Sequence, residues 1–165
     1  MALSAAGAIT LPLENLRTLI ANCTAFQTWT GTADAAEAKT RIELFAATCS
    51  TLTLPAAAID FAAPNNFWQA QKQFDGSVPL FVRTGSADIS FEMEITEAYR
   101  DDPEQSYMEL ANDIGGIIDD MLELAGTDEY LMLTGLSVKA GPGKFGKEES
   151  EKLAGVLVTA TWWGV

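Results

Sequence analysis

The stretch Asp102–Gly126, DPEQSYMELANDIGGIIDDMLELAG, decides how the chain is read. Asp102 is placed to cap a helix, because its carboxylate can accept from the free amides of a first turn. Pro103 fits the first helical position, where no amide partner is needed, and Gln105 completes a capping-box pattern. Tyr107, Leu110, Ala111, Ile114, Ile117, Ile118, Met121, Leu122 and Ala125 then recur at three- and four-residue spacing, and Gly126 suits the C-cap. The pattern predicts one helix over Pro103–Ala125, about 34 Å long. Its opposite face is Glu109, Asn112, Asp113, Asp119, Asp120 and Glu123. Gly115 and Gly116 each cost roughly 1 kcal/mol relative to alanine. Gly115, beside the apolar face, is read as a close-packing contact or a slight kink.

Upstream of that helix the period changes to two. Ile89, Phe91, Met93 and Ile95 alternate with Ser90, Glu92, Glu94 and Thr96, which predicts a strand with one apolar and one wet, acidic face. Earlier still, the Asp75-Gly76 turn joins Phe67–Phe74 to Val78–Thr84 as a hairpin, and Thr84-Gly85-Ser86 reads as a second turn. Ile42–Phe45 and Ala56–Phe61 are short apolar strands. Downstream, Tyr130–Lys139 and Leu153–Trp163 are strands joined by a glycine-rich polar run, with 140–151 expected as a flexible hairpin extension. In the last strand Val156, Val158, Ala160 and Trp162 share one face and Leu157, Thr159, Thr161 and Trp163 the other, which marks an interior strand.

At the N-terminus, residues 1–10 are expected to form a loose arm, and Pro12 with Glu14 reads as a helix start. That helix should run to Trp29–Gly31. Asp34 and Glu37 then start a short second helix through Lys39. The order of elements defines an α+β fold: a mostly antiparallel sheet packed under one long helix, with an N-terminal helical unit and a C-terminal β-hairpin. Residues 1–165 are expected as a single domain, a length that can bury a core without staples.

Composition narrows the function. The chain has 23 acids against 10 bases, a net charge of −13, and a pI near 4.2. That disfavours binding nucleic acid by phosphate neutralisation and polybasic attachment to membranes. There is no histidine, which removes every Ser–His, Cys–His and His-ligated metal site. No basic leader or long apolar run suggests secretion or a membrane span, so a cytoplasmic origin is expected. Cys23 and Cys49 could pair, but without a dense cysteine framework they read as buried apolar residues.

No residue set carries chemistry convincingly. Gly141–Glu148, GPGKFGKE, nearly matches a phosphate-binding loop, but Glu148 replaces the magnesium-binding hydroxyl and a strand follows instead of a helix. Asp101-Asp102 and Asp119-Asp120 are adjacent rather than opposed across a cleft, and no calcium loop is present. Hence no enzyme, cofactor-binding site or metal site is expected. Alternation sends the rings of Trp162 and Trp163 to opposite faces, so at most one meets the core; either Trp163 is left for a partner to cover, or the pair lies at an end of the sheet that needs neither.

Two segments carry a resemblance. Glu14–Ile42, ENLRTLIANCTAFQTWTGTADAAEAKTRI, and Glu109–Gly126 with YLMLTGLSV after it, resemble the neck and tail-completion proteins of tailed phages, the tail terminators among them. The closing strand rich in threonine and tryptophan fits the same group. The resemblance implies helices on one side of a sheet and a homo-oligomeric ring, a hexamer by family analogy. It implies a virion protein, assembled in the host cytoplasm, whose partners are further copies, the tail tube protein and the head-side connector. DNA would pass through the ring without specific binding, and no reaction would be catalysed. Lys144, Phe145, Lys147 and Trp163 are then candidate subunit contacts. The alternative is a small-molecule-binding α+β domain with a pocket between helix 103–125 and the sheet.

The charge excess is local. Fourteen acids and one base, Arg100, lie between Asp88 and Glu129, so this segment carries −13 and the remainder is neutral. It reads as a solubility face. In a neck ring, Glu92, Glu94, Glu109, Asp113, Asp119 and Asp120 would be channel-facing acids that repel phosphates over roughly 8 Å at physiological salt.

Overall fold

A computed structural model describes residues 5–49, 51–61, 68–125, 133–144 and 153–164. The elements run α1 (Ala5–Asn22), α2 (Thr24–Thr30), α3 (Ala35–Lys39), β1 (Ile42–Leu44), β2 (Ala56–Phe61), β3 (Trp68–Asp75), β4 (Val78–Glu94), α4 (Glu97–Asp101), α5 (Pro103–Ala125), β5 (Leu133–Lys144) and β6 (Leu153–Gly164). The six strands form one sheet ordered β1-β2-β4-β6-β5, with β3 pairing the first half of β4. Only the β1–β2 pairing is parallel among these strands. This is the α+β architecture read from the sequence, with the long helix at its expected bounds and β6 interior.

One face of the sheet carries the main core. Ile59, Ile89, Phe91, Val156, Val158 and Trp162 meet Leu16, Ile20, Phe26, Leu110, Ile114, Ile117 and Met121, all buried. Phe26, Trp29 and Phe91 pack with ring centroids 6.0, 6.3 and 6.1 Å apart, so α2 shares the cover with α5. Buried side chains of α5 thus pack into the layer between this helix and the sheet.

Local chemistry sets the boundaries. The Gln105 amide donates to Asp102 Oδ1 at 3.2 Å, the cap expected for α5. The Glu37 amide donates to Asp34 Oδ1 and the Ala33 amide to Glu37 Oε2, which fixes the start of α3. Gly31 closes α2 in the left-handed region at φ 68°. Asp75 faces Val78 across the Asp75-Gly76 turn, as predicted.

Four expectations are corrected. α1 begins at Ala5, not Pro12, so residues 5–10 of the expected loose arm are helical. Alanines at 5, 6 and 8 favour helix strongly enough to carry the chain through a proline that removes one amide bond. The N-terminal helix is also two, divided at Cys23, whose backbone is extended. Thr84-Gly85-Ser86 is no turn, because β4 runs unbroken through it. Ala140–Lys144 continue β5 rather than belonging to a flexible extension, while the rest of that run lies outside the described residues. Short α4, capped by Thr96 through the Tyr99 amide, was not anticipated.

The glycines of α5 exchange roles. A Cβ at Gly116 would lie 3.6 Å from Ala25 Cβ, whereas one at Gly115 would meet nothing within 4 Å. The close approach is therefore at Gly116. Gly115→Ala should raise stability by about 0.5–1 kcal/mol, read as a higher midpoint in urea with unchanged slope. A lower midpoint would place Gly115 in a contact after all.

Candidate functional site

The residues singled out from the sequence fall on two regions, α5 with its neighbour β4, and the β5–β6 hairpin. Glu109, Asp113 and Asp119 are exposed on α5, and Glu94 is exposed at the end of β4. Gln105 Nε2 donates to Glu109 Oε1 at 3.0 Å. The other two acids are not free surface.

Glu92 is the clearest correction: it is 0% exposed. It lies on the sheet face away from the helices, where the segment between β1 and β2 folds back. Cys49, Ala56 and Ala58 form a small second core there, with Ala46, Leu52 and Leu54 against it. The Cys49 amide donates to Glu92 Oε2, and Oε1 has no partner among the described residues. Ser90 on the same face is also buried. The expected wet face of β4 is therefore wet only from Glu94 onward. The missed signal was the run Cys49, Leu52 and Leu54, apolar residues with no element of their own to bury them.

Asp120 caps α2. Its Oδ2 accepts from the Ala25 amide at 2.8 Å, satisfying one free donor of that helix start and joining α2 to α5. Beside it, a groove of about 570 Å³ between α2 and α5 is lined by Thr24, Thr28, Trp29, Asn112, Asp113 and Asp120 among others. Partial burial here, and then the charge of Glu109, raise the Asp113 carboxyl above its ordinary 3.8. The folded protein thus holds this proton more tightly than the unfolded chain. Ionised Asp113 costs stability above the raised value, and the cost fades as pH falls toward 3.8. Asp113→Asn should accordingly raise the melting temperature at pH 7, with the gain vanishing in acid. A gain that persists in acid would assign it to another cause.

The candidate contacts divide by position. Lys144 ends β5, paired in register with Ala154, and Trp163 in β6 pairs with Thr84. The side chains of both, and the whole of Phe145 and Lys147, lie outside the described residues. The structure therefore brings Asp113 and Asp120 together at one groove and separates Glu92 from them.

Cys23 and Cys49 are both free and buried. Burial, reinforced by the Asp120 charge, pushes the Cys23 thiol up to about 12. Burial and the neighbouring Glu92 push Cys49 up as well. Neither is a ready nucleophile. Among the described residues no group of three or more Cys, Asp or Glu is placed to hold a metal ion, and no helix is long and apolar enough to cross a membrane.

The side of the molecule at β5 is distinct. Among the described residues β5 ends the strand order on one side of the sheet; it is twelve residues long, and Val138 on it is 54% exposed. α5 packs on β5, and its spacing sets Met108, Ala111, Gly115, Ile118 and Leu122 on the flank turned away from α2. Met108 is 56% and Leu122 47% exposed.

No protein-family model matches the chain, and no curated protein matches it in sequence.

Proposed function

We propose that this chain is a structural virion protein of a tailed phage, a ring subunit at the head–tail neck that terminates the tail tube and lets DNA pass. The observation that carries the reading is the β5 side of the molecule. Among the described residues no further strand pairs the outer side of β5, and a strand edge beside an apolar helix flank is a surface that a monomer ordinarily protects. In a ring each copy presents one patch to a different patch of the next, so such a side is covered at every interface. The resemblance of Glu14–Ile42, Glu109–Gly126 and Tyr130–Val138 to tail-completion proteins supports the same assignment, with six copies by family analogy and the tube protein and head-side connector as axial partners.

The acids refine the proposal. Glu92 and Asp120 are occupied within the chain, so a channel lining would draw on Glu94, Glu109, Asp113 and Asp119. Such a lining repels phosphates and lets DNA slide without sticking.

Native mass spectrometry and negative-stain microscopy of the full chain test the proposal. Closed rings that bind tail tubes are expected. A strict monomer at high concentration, with no tube binding, overturns it. Leu122→Asp should leave the fold within about 0.5 kcal/mol and weaken ring assembly. Replacing Glu94, Glu109 and Asp119 together by lysine should leave rings intact and slow DNA passage; unchanged infectivity would remove the channel role.

A further inference from the structure

The sheet face turned away from the helices holds a pocket that neither the acidic side of α5 nor the β5 edge uses. Asp60, Asp88, Ser90 and Leu157 line its sheet side, with Ala46 and Phe61 among the remaining lining, and its volume is about 240 Å³. Asp60 and Asp88 are register partners across β2 and β4. Like charges directly opposite on neighbouring strands destabilise a sheet. Asp88 is answered within the chain, because Lys139 Nζ lies 3.0 Å from Oδ2 and Thr159 Oγ1 donates to Oδ1 at 2.7 Å. Asp60 Oδ1 accepts from the Phe61 amide, and among the described residues Asp60 has no ion pair.

A second observation points into the same space. Ser90 is 2% exposed, and its hydroxyl has no hydrogen-bond partner among the described residues. A buried hydroxyl left unpaired costs free energy that an incoming partner recovers.

We infer that this pocket binds a primary alkylammonium group, the ammonium lying against Asp60, Asp88 and the Ser90 hydroxyl and the methylene stem along Ala46, Phe61 and Leu157. An ammonium brings three donors and no acceptor, which suits two carboxylates and a hydroxyl oxygen. An anion would meet the Asp60 carboxylate, which has no ion pair among the described residues. The volume lies below the roughly 300–1,000 Å³ of drug-sized pockets, which favours a short amine. A free amine and a lysine side chain of a second copy offer the same chemistry.

Calorimetric titration of the full chain with 1,4-diaminobutane, at neutral pH and low salt, tests the assignment. Saturable binding is expected, with none for 1-butanol or butanoate. Asp60→Asn should weaken it about tenfold, as for one charge-assisted hydrogen bond. Lys139→Gln, which releases Asp88, should strengthen it severalfold. A merely structural role for these residues would not move affinity in opposite directions. Absence of saturable binding by the folded wild type, equal binding of 1-butanol, or unchanged affinity in both variants overturns the inference. Sedimentation of the same samples separates the sources. An oligomer dispersed by the diamine assigns the pocket to a neighbour's lysine, and binding with unchanged sedimentation assigns it to a free amine.

Discussion

Gly85→Ala is expected to destabilise the fold by about 3 kcal/mol, the upper part of the usual range for overpacking. Gly85 sits within β4, paired in register with Trp162 of β6. A Cβ there would lie 2.4 Å from Trp162 Cζ2 and 2.5 Å from Cε2. The indole cannot swing aside, because Trp162 is buried in the main core. Elsewhere in a strand the same substitution would help slightly, since glycine has more backbone entropy to lose. The sign of the effect is therefore diagnostic. Trp162→Ala alone should cost about 3–5 kcal/mol through the cavity it leaves. In that background Gly85→Ala should cost almost nothing, so the double variant departs from additivity by about 2–3 kcal/mol. Urea midpoints of the four proteins measure this. A wild-type midpoint for Gly85→Ala would mean that the indole does not lie on β4.

The same position shows where sequence reading fails. Gly85 between Thr84 and Ser86 has the composition of a turn, and only the partner strand reveals that the missing side chain makes room for a ring. The strongest contacts local in sequence were legible, although the Thr96 cap of α4 and the start of α1 at Ala5 were not. Asp102, Pro103 and the three- and four-residue apolar spacing placed α5 to the residue, because cap and periodicity act within a few positions of each other. Asp75-Gly76 placed its hairpin for the same reason. What depended on distant packing was not. Asp120 belongs by periodicity to the wet side of α5, yet it caps α2, ninety-five residues earlier in the chain. The acidic face was legible as a charge count, while its division into surface, groove and interior was not.

Glu92→Ala should likewise lose about 3 kcal/mol, while Glu94→Lys, two residues along the same face, should stay within about 0.5 kcal/mol of wild type. Alternation alone makes these two acids equivalent. Packing separates them, because the turn-back between β1 and β2 covers Glu92 and stops short of Glu94. Removing the Glu92 carboxylate strands the Cys49 amide without its acceptor, a cost of about 1–3 kcal/mol. It also opens a cavity beneath Leu52 and Leu54, which adds to the loss. One term opposes these: Oε1 is itself buried without a partner, so its removal recovers some desolvation. Glu92→Gln resolves the balance, since it keeps an acceptor for Cys49 and discards the charge. The expected order of urea midpoints places Glu92→Gln clearly above Glu92→Ala. Amide exchange should report the cause directly, with the Cys49 amide losing protection in Glu92→Ala and keeping it in Glu92→Gln. Equal midpoints for Glu92→Ala and wild type would restore Glu92 to open solvent, and with it the claim of this acid to a channel wall.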